Sequence, residues 1–153
     1  MKRSGVFATV LLLMMTVASA QEGGSEKYYL GGGFGSSTAP ESEVTQSAMQ
    51  FFAGYSDGMK WLDHPHYNFS IEGGCTDVSD YQHDSCWVMP VVSRYINSYL
   101  DIVLRAGAEF GDDTGPIGAL GFEYKIDHVY AVRLEMIERS KSQAALINLV
   151  YRP

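Results

Sequence analysis

The stretch LDIVLRAGAEF, residues 100–110, alternates between apolar and polar side chains with almost no interruption. A period of two is that of a β-strand, in which successive side chains point to opposite faces of the sheet. Leu104 and Phe110 would share one face, and Arg105 and Glu109 the other. In a soluble sheet the charged face meets water, whereas in a membrane barrel the apolar face meets lipid. The alternation therefore predicts a strand and leaves open which face meets which solvent.

The first twenty residues have the layout of a secretory signal peptide. A basic start, MKR, precedes an apolar run over residues 6–17, and the segment ends in the small residues ASA. The apolar run is shorter than the roughly 17–25 residues that a transmembrane helix needs. We therefore expect export of the chain, cleavage between Ala20 and Gln21, and a mature barrel domain over residues 21–153.

The charge of the mature chain narrows the possible partners. Loss of the two basic residues of the leader leaves nine basic against eighteen acidic residues, so the formal charge falls from −7 to −9. Phosphate binding needs a basic face, and we expect no nucleic-acid partner. An aromatic content of 12% and sixteen glycines favour a sheet over a helical bundle.

Eight strand-like stretches, separated by turn residues, fill most of the mature chain. They are residues 27–36, 47–56, 66–76, 85–96, 98–110, 116–126, 129–139 and 142–152. Strands of about 5–6 residues are common in soluble sheets, whereas a tilted strand of about eleven residues rises roughly 27 Å, close to the hydrocarbon thickness. Consecutive hairpins close into a barrel. We therefore predict an all-β, eight-stranded antiparallel up-and-down transmembrane β-barrel.

The charged side chains of these stretches predict the interior of the barrel. The fifth to seventh stretches place no Lys or Arg on the apolar face, where a cation at the bilayer midplane would cost roughly 2–4 kcal/mol. An eight-stranded barrel is too narrow for an open channel, so inward side chains must fill it. We predict an inward ion-pair network of five acids and three bases: Glu72, Asp101, Arg105, Glu109, Glu123, Lys125, Arg133 and Glu135. Lipid then lies outside.

Two other patterns concern the barrel wall. Tyrosines near the ends of the stretches predict an aromatic girdle at each membrane interface: Tyr28, Tyr29, Tyr95, Tyr99, Tyr124, Tyr130 and Tyr151. The fourth and eighth stretches are apolar on both faces. Their periodicity therefore leaves the register open.

The two cysteines of the chain, Cys75 and Cys86, both lie in the mature domain. An even count in an exported protein predicts one disulfide. The alternative is a pair of free thiols too far apart to bridge.

Several short motifs, in this order, resemble those of the OmpA-like outer-membrane barrel domain family. YYLGGGFG, AGYS, IEGGCTDVS, LDIVLRAGAEF and LGFEYKIDHVYAVRLEM are similar to its first, second, third, fifth and sixth-to-seventh strands. The resemblance covers nearly all of the mature chain. It implies a cell outer-membrane location with both chain ends in the periplasm. It also implies contact with outer-membrane lipids and lipopolysaccharide, and assembly by the barrel-insertion machinery and periplasmic chaperones.

The resemblance also implies an interior network of a third-strand Glu, a fourth-strand Lys, a sixth-strand Glu and a seventh-strand Arg. By position, Glu72, Glu123 and Arg133 match three of these. Val91 stands near the Lys position. Arg105 or Lys125 is the candidate for the replacing cation.

Catalysis is the first alternative that the sequence raises, because lipid A deacylases are barrels of this size. Their pattern places His and Ser two residues apart on a late strand, so that the base activates the nucleophile. His128 is followed by Val129 and Tyr130 instead. We expect no enzymatic activity.

A metal site is the second alternative. Two segments carry possible ligands: Asp63, His64, His66, His83 and Cys86. They belong to opposite ends of a hairpin and lack the close spacing of a structural zinc site. We expect no metal and no cofactor.

These observations predict a small outer-membrane barrel with a role in membrane integrity or limited permeability. The alternatives are a soluble periplasmic barrel that binds an apolar ligand inside, and a lipid A-modifying barrel enzyme.

Overall fold

A computed structural model describes residues 28–38, 45–56, 66–78, 83–111 and 114–153. The predicted signal peptide and its cleavage position lie outside the described residues. The described residues form eight strands: β1 Tyr28–Thr38, β2 Thr45–Tyr55, β3 Tyr67–Val78, β4 His83–Asn97, β5 Leu100–Gly111, β6 Gly115–Lys125, β7 Tyr130–Arg139 and β8 Gln143–Tyr151. Each predicted stretch overlaps one of them. None of the described residues belongs to a helix long and apolar enough to cross a membrane.

The strands form one closed barrel in chain order, and every neighbouring pair is antiparallel. β1 closes the sheet against β8, with pairs running from Leu30 opposite Tyr151 to Thr38 opposite Gln143. Closure leaves none of the eight described strands at an open edge, where a row of backbone groups would lack partners. The predicted all-β, eight-stranded antiparallel up-and-down barrel is confirmed.

The barrel has two distinct ends. We call the end at which Tyr28 and Tyr151 lie the turn end, and the end at which Thr38 and Thr45 lie the loop end. The β6–β7 turn, at the turn end, is closed by Asp127, whose Oδ1 accepts hydrogen bonds from the backbone N–H groups of Val129 and Tyr130 at 2.7 and 2.6 Å.

The outer wall of the barrel is apolar, which answers the question that the alternating stretch raised. Leu104 and Leu134 point outward and are each 54% exposed. Arg105 and Glu123 point inward and are 1% and 2% exposed. The period of two thus places the apolar side chains outside and the charges inside.

In β4, side-chain shape selects the register that polarity left open. Trp87 faces inward, where its indole N–H donates to Thr76 Oγ1 at 3.2 Å and its ring lies 6.2 Å from that of Phe52. A Cβ at Gly74 would lie 2.8 Å from the Trp87 ring, so the glycine leaves space for the indole. Val88, the next residue along β4, consequently faces outward.

In β8, the inward polar side chain is Asn148, which is 1% exposed and hydrogen-bonds to Glu135. Leu146 and Val150 flank it on the same inner face, and Ile147 and Leu149 face outward.

Among the described residues, the outward tyrosines form one girdle, at the turn end. Six of them meet in pairs, with ring centroids separated by 4.9 to 6.3 Å: Tyr28 with Tyr55, Tyr130 with Tyr151, and Tyr99 with Tyr124. The prediction of a girdle at both ends from these tyrosines is wrong. Tyr29 is also wrongly assigned to a girdle, because adjacent residues of a strand face opposite sides and Tyr29, beside the outward Tyr28, points inward.

Candidate functional site: the ion-paired interior

Glu72 on β3 is the centre of the charged interior. Its Oε2 lies 2.6 Å from Nη1 of Arg105 on β5, and its Oε1 lies 2.8 Å from Nη1 of Arg133 on β7. The three side chains are at most 1% exposed. Removing an ion from water is costly, and a short, fully paired geometry is what offsets that cost.

Each arginine also holds a second carboxylate. Arg105 pairs through Nη2 with Glu135, and Arg133 pairs through Nη2 with Glu123 at 2.9 Å. Glu123 accepts a further contact from Arg152 Nη2 at 2.6 Å. The result is one continuous chain of alternating charges across the lumen, which we call the central network: Glu135, Arg105, Glu72, Arg133, Glu123 and Arg152.

Neutral polar side chains add hydrogen bonds to the carboxylates of the central network. The Tyr29 hydroxyl donates to Glu72 Oε1 at 2.7 Å, and Asn148 Nδ2 donates to Glu135 Oε1 at 2.7 Å. Gln50 Nε2 donates to Asn148 Oδ1 at 2.8 Å. The carboxylates thereby accept bonds in addition to their ion pairs, which is the condition for a stable buried network.

Two further ion pairs lie towards the two ends of the barrel. Towards the loop end, Arg139 Nη1 lies 2.9 Å from Glu109 Oε1, and the Ser85 hydroxyl donates to the same carboxylate. At the turn end, Lys125 Nζ lies 2.8 Å from Asp101 Oδ2, and this pair is partly exposed.

The structure places all eight charged residues predicted for the interior in ion pairs, and Arg105 rather than Lys125 contacts Glu72. Arg139 and Arg152 also belong to the interior and were missed. The signal was present: each continues the inward alternation of its strand, after Ile137 in β7 and Val150 in β8. With them, five acids meet five bases in the ion pairs of the described interior.

Aromatic rings and arginines lie against one another in the middle of the lumen. The guanidinium carbons of Arg105 and Arg133 lie 5.7 and 5.2 Å from the Phe52 ring centroid, and that of Arg105 lies 5.0 Å from the Trp87 ring. A cation over an aromatic face is attracted by the ring quadrupole. A Cβ at Gly31 would lie 2.1 Å from Phe52 Cζ, so glycine lets the ring lie against β1.

Cys75 and Cys86 are opposed across β3 and β4 and form a disulfide, with their Cα atoms 3.9 Å apart. Cys86 faces outward, towards the loop end. The disulfide removes Cys86 from any metal-ligand set. No cluster of three metal-ligating side chains occurs among the described residues, and Asp63 and His64 lie outside them.

A closed eight-stranded barrel with an apolar outer wall and a polar, filled interior has the architecture of the small outer-membrane β-barrels. No family model and no curated protein matches the sequence.

Solved structures share this fold. The chain is similar to a de novo designed transmembrane β-barrel, with a TM-score of 0.60, 15% identity, and coverage of 86% of this chain and 100% of that one. It is similar to the outer-membrane enzyme PagL, with a TM-score of 0.61, 12% identity, and coverage of 82% and 99%. It is also similar to Ail, the attachment invasion locus protein of Yersinia pestis, with a TM-score of 0.55, 10% identity, and coverage of 84% and 100%. At these identities the likeness concerns the fold.

Proposed function

We propose that this protein is an integral outer-membrane barrel with a structural role in envelope integrity and a lumen that is sealed to hydrated ions. The observation that carries the proposal is the distribution of charge between the two faces of the wall. Outward Leu104, Phe122 and Leu134 are each more than half exposed, whereas Arg105 and Arg133 are 1% exposed. Water on the outside would leave the large apolar side chains solvated, whereas lipid matches them.

The sealed lumen follows from how the interior is filled. Phe52, Trp87 and Met89 are at most 1% exposed and lie at the level of the central network: the two rings lie beside Arg105, and Met89 is opposite Glu72 in the sheet. A hydrated ion would have to displace these side chains and separate arginine–carboxylate pairs. Removing one partner of a buried pair costs about 3–5 kcal/mol, so spontaneous opening is rare.

A soluble barrel that binds an apolar ligand is disfavoured by the same interior. Such a ligand would have to lie against Glu72, Arg105 and Arg133, which are charged and already paired with one another. Apolar binding sites are lined mainly by hydrophobic side chains with few polar groups.

The remaining proposals rest on the sequence motifs and on the fold. We propose membership of the OmpA-like family, export by the signal peptide, and assembly by the barrel-insertion machinery and periplasmic chaperones. We also propose a non-catalytic role. PagL is an enzyme, and its likeness to this chain concerns the backbone fold.

Paired labelling sites test insertion into the membrane. Cys75 and Cys86 form a disulfide, so a new cysteine is the single target of a nitroxide reagent. In phospholipid vesicles, a label at Leu134→Cys should relax strongly with oxygen and weakly with a water-soluble nickel complex. A label at Asp127→Cys, in the β6–β7 turn, should show the reverse. Equal nickel accessibility at both sites, or a folded protein that stays in solution without detergent, would contradict the proposal.

A further inference from the structure

A polar cavity lies at the turn end of the lumen, and we call it the vestibule. It has a volume of about 360 Å³, within the roughly 300–1,000 Å³ of small-molecule sites. Strands β3 to β6 and the residue before β3 supply its polar and aromatic lining: His66, Asn68, Ser93, Tyr95, Asp101 and Lys125. Asp101 lies four residues from Arg105 along β5, on the side of the turn end. The vestibule is therefore separate from the central network.

An acid and a base lie side by side in the vestibule. Lys125 Nζ is 2.8 Å from Asp101 Oδ2, and the two side chains are 33% and 13% exposed. The ammonium group can only donate hydrogen bonds, and the carboxylate can only accept them. Because the two charges oppose each other, an anion would be repelled by Asp101 and a cation by Lys125. The pair therefore favours a neutral ligand that carries a donor and an acceptor on neighbouring atoms.

The Asp101 carboxylate has further capacity to accept hydrogen bonds. Its Oδ1 is buried and accepts no hydrogen bond from the described residues, and an unpaired buried acceptor is costly. The torsion angle that orients a carboxylate is broadly distributed, so rotation can turn this oxygen towards the vestibule. Asn68 adds a donor: its Oδ1 accepts from Ser56 Oγ at 2.9 Å, which leaves its Nδ2 group to donate to a ligand.

Tyr95 provides an aromatic surface beside this pair. It lies opposite Asp101 in the sheet and therefore shares its inward face, although the sequence predicted it for a girdle. Tyr95 is 43% exposed, and its ring lies 5.5 Å from Lys125 Nζ and stacks on His66 with centroids 6.4 Å apart. The backbone N–H of Tyr95 donates to the His66 carbonyl oxygen at 2.9 Å and holds the two residues together. A ring-shaped ligand can cover the exposed part of Tyr95 while its edge meets Asp101 and Lys125.

We propose that the vestibule binds a neutral sugar ring. Two hydroxyls on adjacent carbons meet the pair, since one accepts from Lys125 while the next donates to Asp101. The C–H groups of the ring lie against Tyr95, whose aromatic face is negative. An apolar ring would leave Asp101 without a donor, and a charged ring would be repelled by one member of the pair. The site does not depend on which solvent surrounds the outer wall, so its failure would leave the proposed function in place.

An NMR titration of the barrel, labelled with ¹⁵N-lysine and held in lipid nanodiscs without sugar detergents, tests the proposal. The backbone amide of Lys125 reports on the vestibule, and that of Lys141, beyond the loop end of β7, is the internal control. The probes share a six-membered ring: methyl glucoside is neutral with adjacent hydroxyls, cyclohexanol has one hydroxyl, cyclohexylamine is a cation and cyclohexanecarboxylate is an anion. Methyl glucoside should shift the Lys125 signal at the lowest concentration of the four and leave Lys141 unchanged.

Two variants each remove one carboxylate from the turn end. Asp101→Ala should weaken glucoside binding about tenfold, because a hydrogen bond to a charged group is lost. It should also make cyclohexanecarboxylate the preferred probe, because Lys125 loses its counter-ion. Asp127→Ala is the matched control and should leave both properties unchanged, since Asp127 does not line the vestibule.

The change of preference in Asp101→Ala is a gain of binding, which a misfolded barrel would not give. Heat-dependent gel mobility shows that each variant is folded before it is titrated. No shift of Lys125 with methyl glucoside, or a stronger response of the wild type to any other probe, would overturn the inference. Equal glucoside binding by Asp101→Ala and Asp127→Ala, or an unchanged preference in Asp101→Ala, would overturn it as well.

Discussion

Val91 of β4 lies directly opposite Arg105 of β5, and both side chains face the barrel interior. The family resemblance places a cation near Val91, where this chain has none. The Arg105 guanidinium reaches Glu72 from the next strand, at 2.6 Å. It also holds Glu135, because its donors form a fork that can engage two carboxylates at once. The cation beside Glu72 is therefore supplied by β5, and not by β4 as the family resemblance predicted.

The first prediction concerns this central carboxylate. Glu72→Gln should destabilise the barrel by about 3–5 kcal/mol, because it leaves a buried excess of positive charge beside Arg105 and Arg133. Urea unfolding in lipid vesicles, followed by tryptophan fluorescence, measures the loss. Asp101→Asn is the matched control, since its partner Lys125 is one third exposed and an exposed pair contributes about 0–1 kcal/mol. Equal losses for the two variants would show that burial does not set the strength of these pairs.

The second prediction concerns the seal. In planar-bilayer recordings, Phe52→Ala should conduct ions and the wild type should give no current. The substitution removes the ring that lies against both Arg105 and Arg133. The cavity should also lower the free energy of unfolding by about 3–5 kcal/mol. Phe34→Ala removes the same side chain from the outer wall, where Phe34 is 68% exposed, and should remain silent. A folded Phe52→Ala barrel that does not conduct would mean that the aromatic ring is not the barrier.

The third prediction concerns the disulfide across β3 and β4. Replacing Cys75 and Cys86 together by alanine should preserve the fold and lower stability by about 2–3 kcal/mol, because the bond closes a short loop in the unfolded chain. Alkylation of the denatured wild type without reductant should add no label, and reduction should expose two thiols. Two labels before reduction would show that the bond does not form.

The fourth prediction concerns pH. Hydrogen bonds from the backbone N–H groups of Tyr130 and Val129 hold the pKa of Asp127 below its ordinary value of 3.8. The folded barrel therefore favours the carboxylate, and this contribution is present above about pH 3.8 and is lost as pH falls through the folded pKa. The difference in the free energy of unfolding between wild type and Asp127→Ala should therefore shrink as the pH falls below about 3.8. A carboxyl-carbon NMR titration of Asp127 checks it directly, and a midpoint at or above 3.8 would contradict it.

The strands and the two faces of β5, β6 and β7 could be predicted from the sequence. Alternation is a local property, because adjacent side chains in a strand point in opposite directions wherever the strand lies. It was therefore enough to place Glu123 and Arg133 inside and Phe122 and Leu134 outside. The same rule, continued to the strand ends, would have placed Arg139 and Arg152 inside as well.

Only the closed barrel decided which charges meet. Glu72 and Arg133 are 61 residues apart in the chain and contact each other across the lumen, so their pairing depends on the stagger at which all eight strands close. The register of β4 likewise depended on the space that Gly74 leaves for Trp87, because both faces of that strand are apolar. Alternation determines the side of the wall on which a residue lies. The partner that it meets depends on barrel closure and on the volume of the side chains inside.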